Sequence, residues 1–161
     1  MATLLFIYHS RTGGTRHMVE AAASAAHIET EVRVLKAEDA KPADLLAADG
    51  YIFAGPENLA ALSGAMKEIF DRCYYPLLGK IEGRPYSLMM CAGSDGENAV
   101  RQAARIATGW RLTQIQAPLI INTKSQTEAE ILAPKTLSYA ALAPCRDLGQ
   151  AFGAGLSMGI F

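Results

Sequence analysis

The sequence predicts an α/β domain, with a five-stranded parallel sheet of order 2-1-3-4-5 sandwiched between helices on both faces, in one unit over residues 1–161. Three observations lead there. Short apolar runs alternate with longer stretches of helical period, the order of elements a parallel sheet with crossover helices requires. The second run alternates apolar and charged residues, as an edge strand does, whereas the first, third and fourth are unbroken, as interior strands are. A loop of hydroxyls and glycines follows the first run directly, where an open sheet of this order reverses direction and binds its ligand.

Leu4-Leu5-Phe6-Ile7-Tyr8 is the first strand, and Met18, Val19, Ala22, Ala25 and Ala26 mark one face of the helix after it. In the second strand Ile28, Thr30, Val32 and Val34 share one side and Glu29, Glu31 and Arg33 the other. Tyr51-Ile52-Phe53-Ala54 and Tyr86-Ser87-Leu88-Met89-Met90 read as strands three and four. Between them Leu62, Ala65, Met66, Ile69, Phe70 and Cys73 fall at i, i+3, i+4, i+7, i+8 and i+11, a buried helical stripe. Val100, Ala103, Ala104 and Ala107 mark the next helix, and Pro118-Leu119-Ile120-Ile121 a last strand that begins near Leu112. Leu148, Phe152 and Leu156 face the final helix inward, and Pro144 places that helix's start at or just before itself, since proline is tolerated only in a first turn.

Half of the 161 residues are apolar, enough for one domain to bury its own core, and 15 basic against 16 acidic residues leave a net charge of -1. That balance lacks the basic stripe a nucleic-acid partner demands. No apolar run reaches the length of a membrane span, and the first ten residues lack the charged start of a signal peptide. The three cysteines, Cys73, Cys91 and Cys145, are widely spaced without neighbouring histidines, so no metal site is expected. A reduced, cytoplasmic setting is the expectation.

The loop Ser10-Arg11-Thr12-Gly13-Gly14-Thr15 suits an anion. The first turn of a helix has N–H groups without intrahelical partners and the positive end of the helix dipole, glycines allow close approach, and hydroxyls donate to phosphate oxygens. Arg11 adds Coulomb attraction. Gly14 is followed by Thr15-Arg16 rather than Lys-Ser or Lys-Thr, so the loop is not a nucleotide P-loop, and no G-x-G-x-x-G is present. With no cysteine after strand one and no acidic cluster at the strand ends, a phosphatase loop and a phospho-accepting site fit poorly.

Ser10 to Thr15 resembles the flavodoxin-type loop [ST]-x-T-G-x-T that holds the 5'-phosphate of FMN. The segment GPENLAALSGAMKEIFDRCYYPL, beginning at Gly55, is similar to the flavin-embracing loop and helix of the NAD(P)H-dependent FMN reductase and quinone reductase branch, and CAGSDGENAVRQAARIATGWRL, beginning at Cys91, to that branch's loop after strand four. The resemblance implies a flavodoxin-like fold, FMN as cofactor, NADH or NADPH as hydride donor and a quinone or other small molecule as electron acceptor. It also implies that Pro56, Glu57, Asn58 and Leu59 lie along one side of the flavin ring and Ala92, Gly93, Ser94, Asp95 and Gly96 along the other. A carboxylate beside a reduced flavin is electrostatically adverse, so the Glu57 side chain is expected to face water.

Asp95 and Asn98 read equally well as turn and cap residues. His9 and His17 form no triad with a serine and an acid at recognisable spacing and are expected to pack or to face solvent. Tyr74 and Tyr75 are expected to pack in the core or, with the apolar loop Leu59-Ala60-Ala61, to line an open stacking site or one completed by a second subunit in a homodimer or larger assembly. No side chain need act as nucleophile or base, because the cofactor carries the chemistry. The competing readings are a flavodoxin that shuttles single electrons between proteins and a cofactor-free binding domain on the same fold.

Overall fold

The computed structural model describes residues 1–161 and has the expected three layers. Strand β1 (Thr3–Tyr8) lies between β2 (Glu31–Lys36) and β3 (Gly50–Asn58), both parallel to it. β3 pairs in parallel with the next long strand, Pro85–Ala92. A two-residue strand, β4 (Ala61–Leu62), turns back antiparallel on the end of β3, so the long strand is β5. The last position in the sheet is shared by β6 (Thr113–Gln114) and β7 (Leu119–Asn122), which pair with the start and end of β5. The order 2-1-3-4-5 is thus kept by seven segments, not five. Pro118, which has no N–H for the ladder, sits in the break between β6 and β7.

The period of two along β1 divides the core. Leu5 and Ile7 point to one face, where α2 (Pro42–Ala47), α3 (Gly64–Leu77) and α4 (Glu97–Gly109) pack; Leu4 and Phe6 point to the other, against α1 (Gly14–Ala26) and α6 (Ala143–Ser157). All four side chains are fully buried. The expected stripe from Leu62 to Cys73 lies against the first face, with Phe53, Phe70 and Trp110 in edge and tilted aromatic contact. On the other face α6 approaches α1 through glycines: a Cβ at Gly149 would lie 2.0 Å from the Ala22 carbonyl oxygen, and one at Gly153 2.9 Å from that of Ala26. The Gly-x-x-x-Gly spacing on α6 meets Ala-x-x-x-Ala on α1, which brings the two backbones together.

Strand β2 is the edge, as its composition implied, but it starts three residues later than its alternation suggested. Ile28 and Glu29 belong to the turn after α1, and Ile28 is 77% exposed. Val32 packs on one face of the sheet and Leu35 on the other, while Val34 lies half in solvent. Two short helices carry no apolar stripe. α2 has Pro42 in its first turn and Asp44 accepting from the Lys41 N–H at 2.9 Å, with Arg33 paired to the same carboxylate at 2.7 Å. α5 (Glu128–Leu132) opens with a capping box, Thr127 Oγ1 accepting from the Glu130 N–H and the Glu130 carboxylate from that of Thr127. No helix is long and apolar enough to cross a membrane.

Candidate functional site

The crevice lies beyond the carboxyl ends of β1, β3 and β5, where α1 and α4 both begin after a left-handed glycine: Gly13 at φ 99° and Gly96 at φ 91°. Neither N-cap glycine has a side chain to cap its helix, and in α1 the first two N–H groups, those of Gly14 and Thr15, stay available to a ligand. In the first loop Ser10 Oγ accepts from the N–H groups of Gly13 and Arg16, both at 3.2 Å, which bends residues 10–16 into a cradle and leaves the serine's own hydrogen free to donate. The N–H groups of Thr12, Gly14 and Thr15 bond to nothing else in the chain. Thr15 Oγ1 is buried and has no partner either. Leaving a buried hydroxyl unpaired costs about 1–3 kcal/mol, a cost that an anion accepting from it would remove.

Gly14 cannot be another residue without rearrangement, because a Cβ there would stand 2.6 Å from Cys91 Sγ at the end of β5. Close packing of the start of α1 on the end of β5 brings the cradle against the other two loops. Ser10, Arg11, Thr12, Gly14, Thr15, Pro56, Glu57, Asn58, Ala92 and Gly93 line a single trough. Gly13 faces a neighbouring cleft, and Leu59, Ser94, Asp95 and Gly96 lie outside the trough's lining. Leu59 stands at the tip of the β3–β4 hairpin, fully exposed, and both it and Ala60 have positive φ, 50° and 61°. Two L residues in the left-handed region make a primed hairpin turn that Asn and Gly would form with less strain.

The Glu57 side chain does not face water. Its Oε2 accepts from the Gly96 N–H at 2.5 Å, and Asn98 Nδ2 donates to the Ala60 carbonyl at 2.7 Å, so two bonds tie the loop after β3 to the start of α4. Asn98 therefore links the two loops, while Asp95 takes the turn role, accepting weakly from the Glu97 N–H. His9 Nδ1 bonds Ser63 Oγ at 2.9 Å, and Ser63, fully buried, caps α3. Burial holds His9 below the ordinary histidine range, against a smaller pull upward from Glu38. Tyr74 and Tyr75 sit in the last turns of α3, at the end opposite Ser63, with Tyr74 stacked on Trp110 and accepting from its indole N–H. They belong to the core and its rim, not to a stacking site at the cradle.

Sequence reasoning missed a strap over the trough. Thr123, Ser125, Ile131 and Lys135, all after the last strand, line it together with Cys91. The strap is tied at both ends: Gln126 Nε2 donates to the Gly93 carbonyl at 3.2 Å, and the Lys135 N–H to that of Thr12 at 2.7 Å. The Lys135 ammonium is held by the carbonyls of Glu130, Ile131 and Ala133 at the end of α5. The one local signal was Thr127-Glu128-Ala129-Glu130, a capping-box spacing with no apolar run behind it. Burial pushes the Cys91 thiol up, with a weaker opposing pull from Lys135, so it is neutral at ordinary pH.

An open doubly wound sheet with an uncapped, hydroxyl-rich cradle at its reversal point defines a class of domain that holds a phosphate-bearing ligand at the carboxyl edge. Residues 42–126 match the family model of NADPH-dependent FMN reductases, and the chain belongs to that family. The cradle precedes the matched span, so its geometry is independent of the match. A curated relative, the flavodoxin of Aquifex aeolicus (strain VF5), is 40% identical over 86 residues, 52% of this chain; the match spans 46% of that protein, less than half its length. Among solved structures, an archaeal flavodoxin superposes with a TM-score of 0.76 at 16% identity, covering 96% of this chain and 98% of its own. The flavodoxin-like WrbA-like protein from Agrobacterium tumefaciens gives 0.74 at 20% identity, covering 99% and 97%. At these identities they establish the fold, which is flavodoxin-like. Family and fold together place the chain among flavodoxin-like proteins of an FMN-binding family.

The cradle fits the phosphate of FMN: an unpaired buried hydroxyl, three free N–H groups and a glycine that admits nothing larger lie within one short loop, residues 12–15. The trough has only about 70 Å³ of free space. Glu57, bonded to the Gly96 N–H, and the strap residues Thr123, Ser125, Ile131 and Lys135 narrow it.

Proposed function

We propose that the protein is an FMN-dependent NAD(P)H oxidoreductase that passes electrons from a nicotinamide nucleotide to a quinone or another small acceptor. The unpaired, buried Thr15 hydroxyl at the mouth of α1, in a chain of this family, carries the reading. FMN supplies hydride acceptance and electron transfer when bound. Ser10, Thr12 and Thr15 hold the phosphate with the N–H groups of Thr12, Gly14 and Thr15, and Arg11 adds charge. Pro56 to Leu59 and Ala92 to Gly96 flank the ring. Glu57 and the strap regulate entry and exclude water, and no side chain is required as nucleophile or base. The cytoplasm and a homo-oligomeric state remain part of this reading.

A second reading, a flavodoxin carrying single electrons between proteins, is favoured by the relative from Aquifex aeolicus. Such carriers dock through strongly charged surfaces, and the net charge of -1 offers little for that. Mixing FMN-loaded protein with NADH or NADPH and a series of quinones decides between them. Catalytic oxidation of the nicotinamide supports the oxidoreductase; no turnover with either nucleotide across the series, with efficient electron exchange between the protein and redox proteins, supports the carrier.

A further inference from the structure

Lys135 lies over the cradle, although it belongs to the far end of the strap. Its N–H donates to the Thr12 carbonyl at 2.7 Å. Its own carbonyl oxygen stands 3.5 Å from where a Cβ at Gly13 would be, and its Cβ and Cγ stand 3.5 and 3.6 Å from where one at Gly14 would be. The residue thus covers both glycines of the loop. The positive charge of its ammonium reaches the Cys91 thiol at the end of β5 and opposes the rise that burial imposes there, and Cys91 Sγ is itself 2.6 Å from the same Gly14 position.

That charge has no counterpart in the chain. The ammonium donates to three neutral carbonyls, those of Glu130, Ile131 and Ala133, at 2.7, 3.0 and 2.7 Å, and it forms no ion pair. The Glu130 carboxylate is taken up by the N–H groups of Gln126 and Thr127, and that of Glu57 by the N–H of Gly96. Three charged residues line the trough, Arg11, Glu57 and Lys135, so Glu57 offsets Arg11 and the positive balance of the lining is that of Lys135. A phosphate monoester brings about −1.5 to −2 charges at neutral pH, and a charge-assisted bond from an ammonium is roughly twice as strong as one from a neutral donor.

We propose that Lys135 is a phosphate-recognising residue of the FMN site, supplying from the strap the net positive charge that the hydroxyls and N–H groups of the loop do not carry. Phosphate and strap then hold each other, so FMN fastens the strap over the trough and riboflavin does not. The inference rests on FMN as the ligand and is independent of turnover with a nicotinamide. A lysine that only closes the end of α5 would serve both flavins alike, and this separates the two roles.

FMN and riboflavin are titrated into flavin-free wild-type protein, Lys135→Gln and Lys135→Arg, by quenching of flavin fluorescence. Lys135→Gln is expected to bind FMN about tenfold more weakly and riboflavin unchanged, while Lys135→Arg, which keeps the charge, retains most of the FMN affinity. Added salt should reduce the advantage of FMN over riboflavin more in the wild type than in Lys135→Gln. Equal losses for both flavins assign Lys135 to strap stability alone and overturn the proposal, as does an unchanged FMN affinity. A second measurement uses the wild-type protein only: acetylation of Lys135 by acetic anhydride, followed by mass spectrometry, should be about threefold or more slower under saturating FMN than under saturating riboflavin, and equal rates overturn the proposal. Wild-type protein that binds no FMN overturns the FMN reading and the proposal with it, whereas FMN binding insensitive to Lys135→Gln overturns the proposal alone.

Discussion

The carboxylate of Glu57 and the main-chain N–H of Gly96 meet at 2.5 Å, joining the loop after the third strand to the start of α4 at one side of the trough. A bond from a buried N–H to a carboxylate is charge-assisted, and its loss leaves the donor unpaired, a cost of about 1–3 kcal/mol. Glu57→Ala is therefore expected to lower the melting temperature of the flavin-free protein and to speed FMN association. Thermal unfolding and stopped-flow flavin quenching measure the two; an unchanged association rate would mean that the bond does not gate the trough.

Thr15 gives effects of opposite sign. Thr15→Val keeps the shape and removes a buried hydroxyl that pairs with nothing in the chain, so stability is expected to hold or rise by up to about 1 kcal/mol. FMN affinity should fall, and riboflavin affinity should not. Denaturant unfolding with parallel titrations of both flavins reads this out, and a loss of stability would mark the hydroxyl as structural.

The α1–α6 contact separates backbone propensity from packing. Alanine in a helix is favoured over glycine by about 1 kcal/mol, but at Gly149 the new Cβ would lie 2.0 Å from the Ala22 carbonyl, and overpacking of that kind costs about 1–3 kcal/mol or more. Gly149→Ala is expected to destabilise by more than 1 kcal/mol in urea. Gly64→Ala, in α3 with open space around it, is expected to be neutral or stabilising, and similar outcomes for the two would refute the packing account.

Alkaline stability follows from Cys145, which burial pushes up from 9.0 to about 11, with the Cys91 thiol nearby adding to the rise. Below pH 9 the thiol is protonated in both states. Above it the unfolded chain ionises first and binds fewer protons, so stability falls with rising pH through about 11, by at most on the order of 3 kcal/mol. Melting temperatures between pH 8 and 11 should show this decline, and Cys145→Ala should lessen it, Cys73 and Cys91, also pushed up by burial, keeping the rest.

Much of this was legible because the signals were local. Leu4 to Ile7 read as an interior strand since both faces of β1 are covered, and Ser10 to Thr15 read as a cradle since the chemistry of a helix start is written in consecutive residues. The strap was not legible: α5 buries none of its residues, so it has no stripe, and its hold on Gly93 and Thr12 is made by a side chain and a main-chain N–H whose partners lie far off in sequence. Glu57 was misread for a related reason. Its partner is a backbone N–H 39 residues away, and the expectation of solvent rested on charge alone.

The most direct measurement is the affinity of flavin-free protein for FMN against riboflavin, by quenching of flavin fluorescence. The two ligands share the ring and differ in the phosphate, so their ratio isolates the cradle. Several charge-assisted bonds at about 1.5–3 kcal/mol each lead us to expect FMN to bind tighter by about 100-fold or more, an advantage that Thr12→Val with Thr15→Val should largely abolish. Equal affinity for both flavins, or no binding of FMN, would contradict the account.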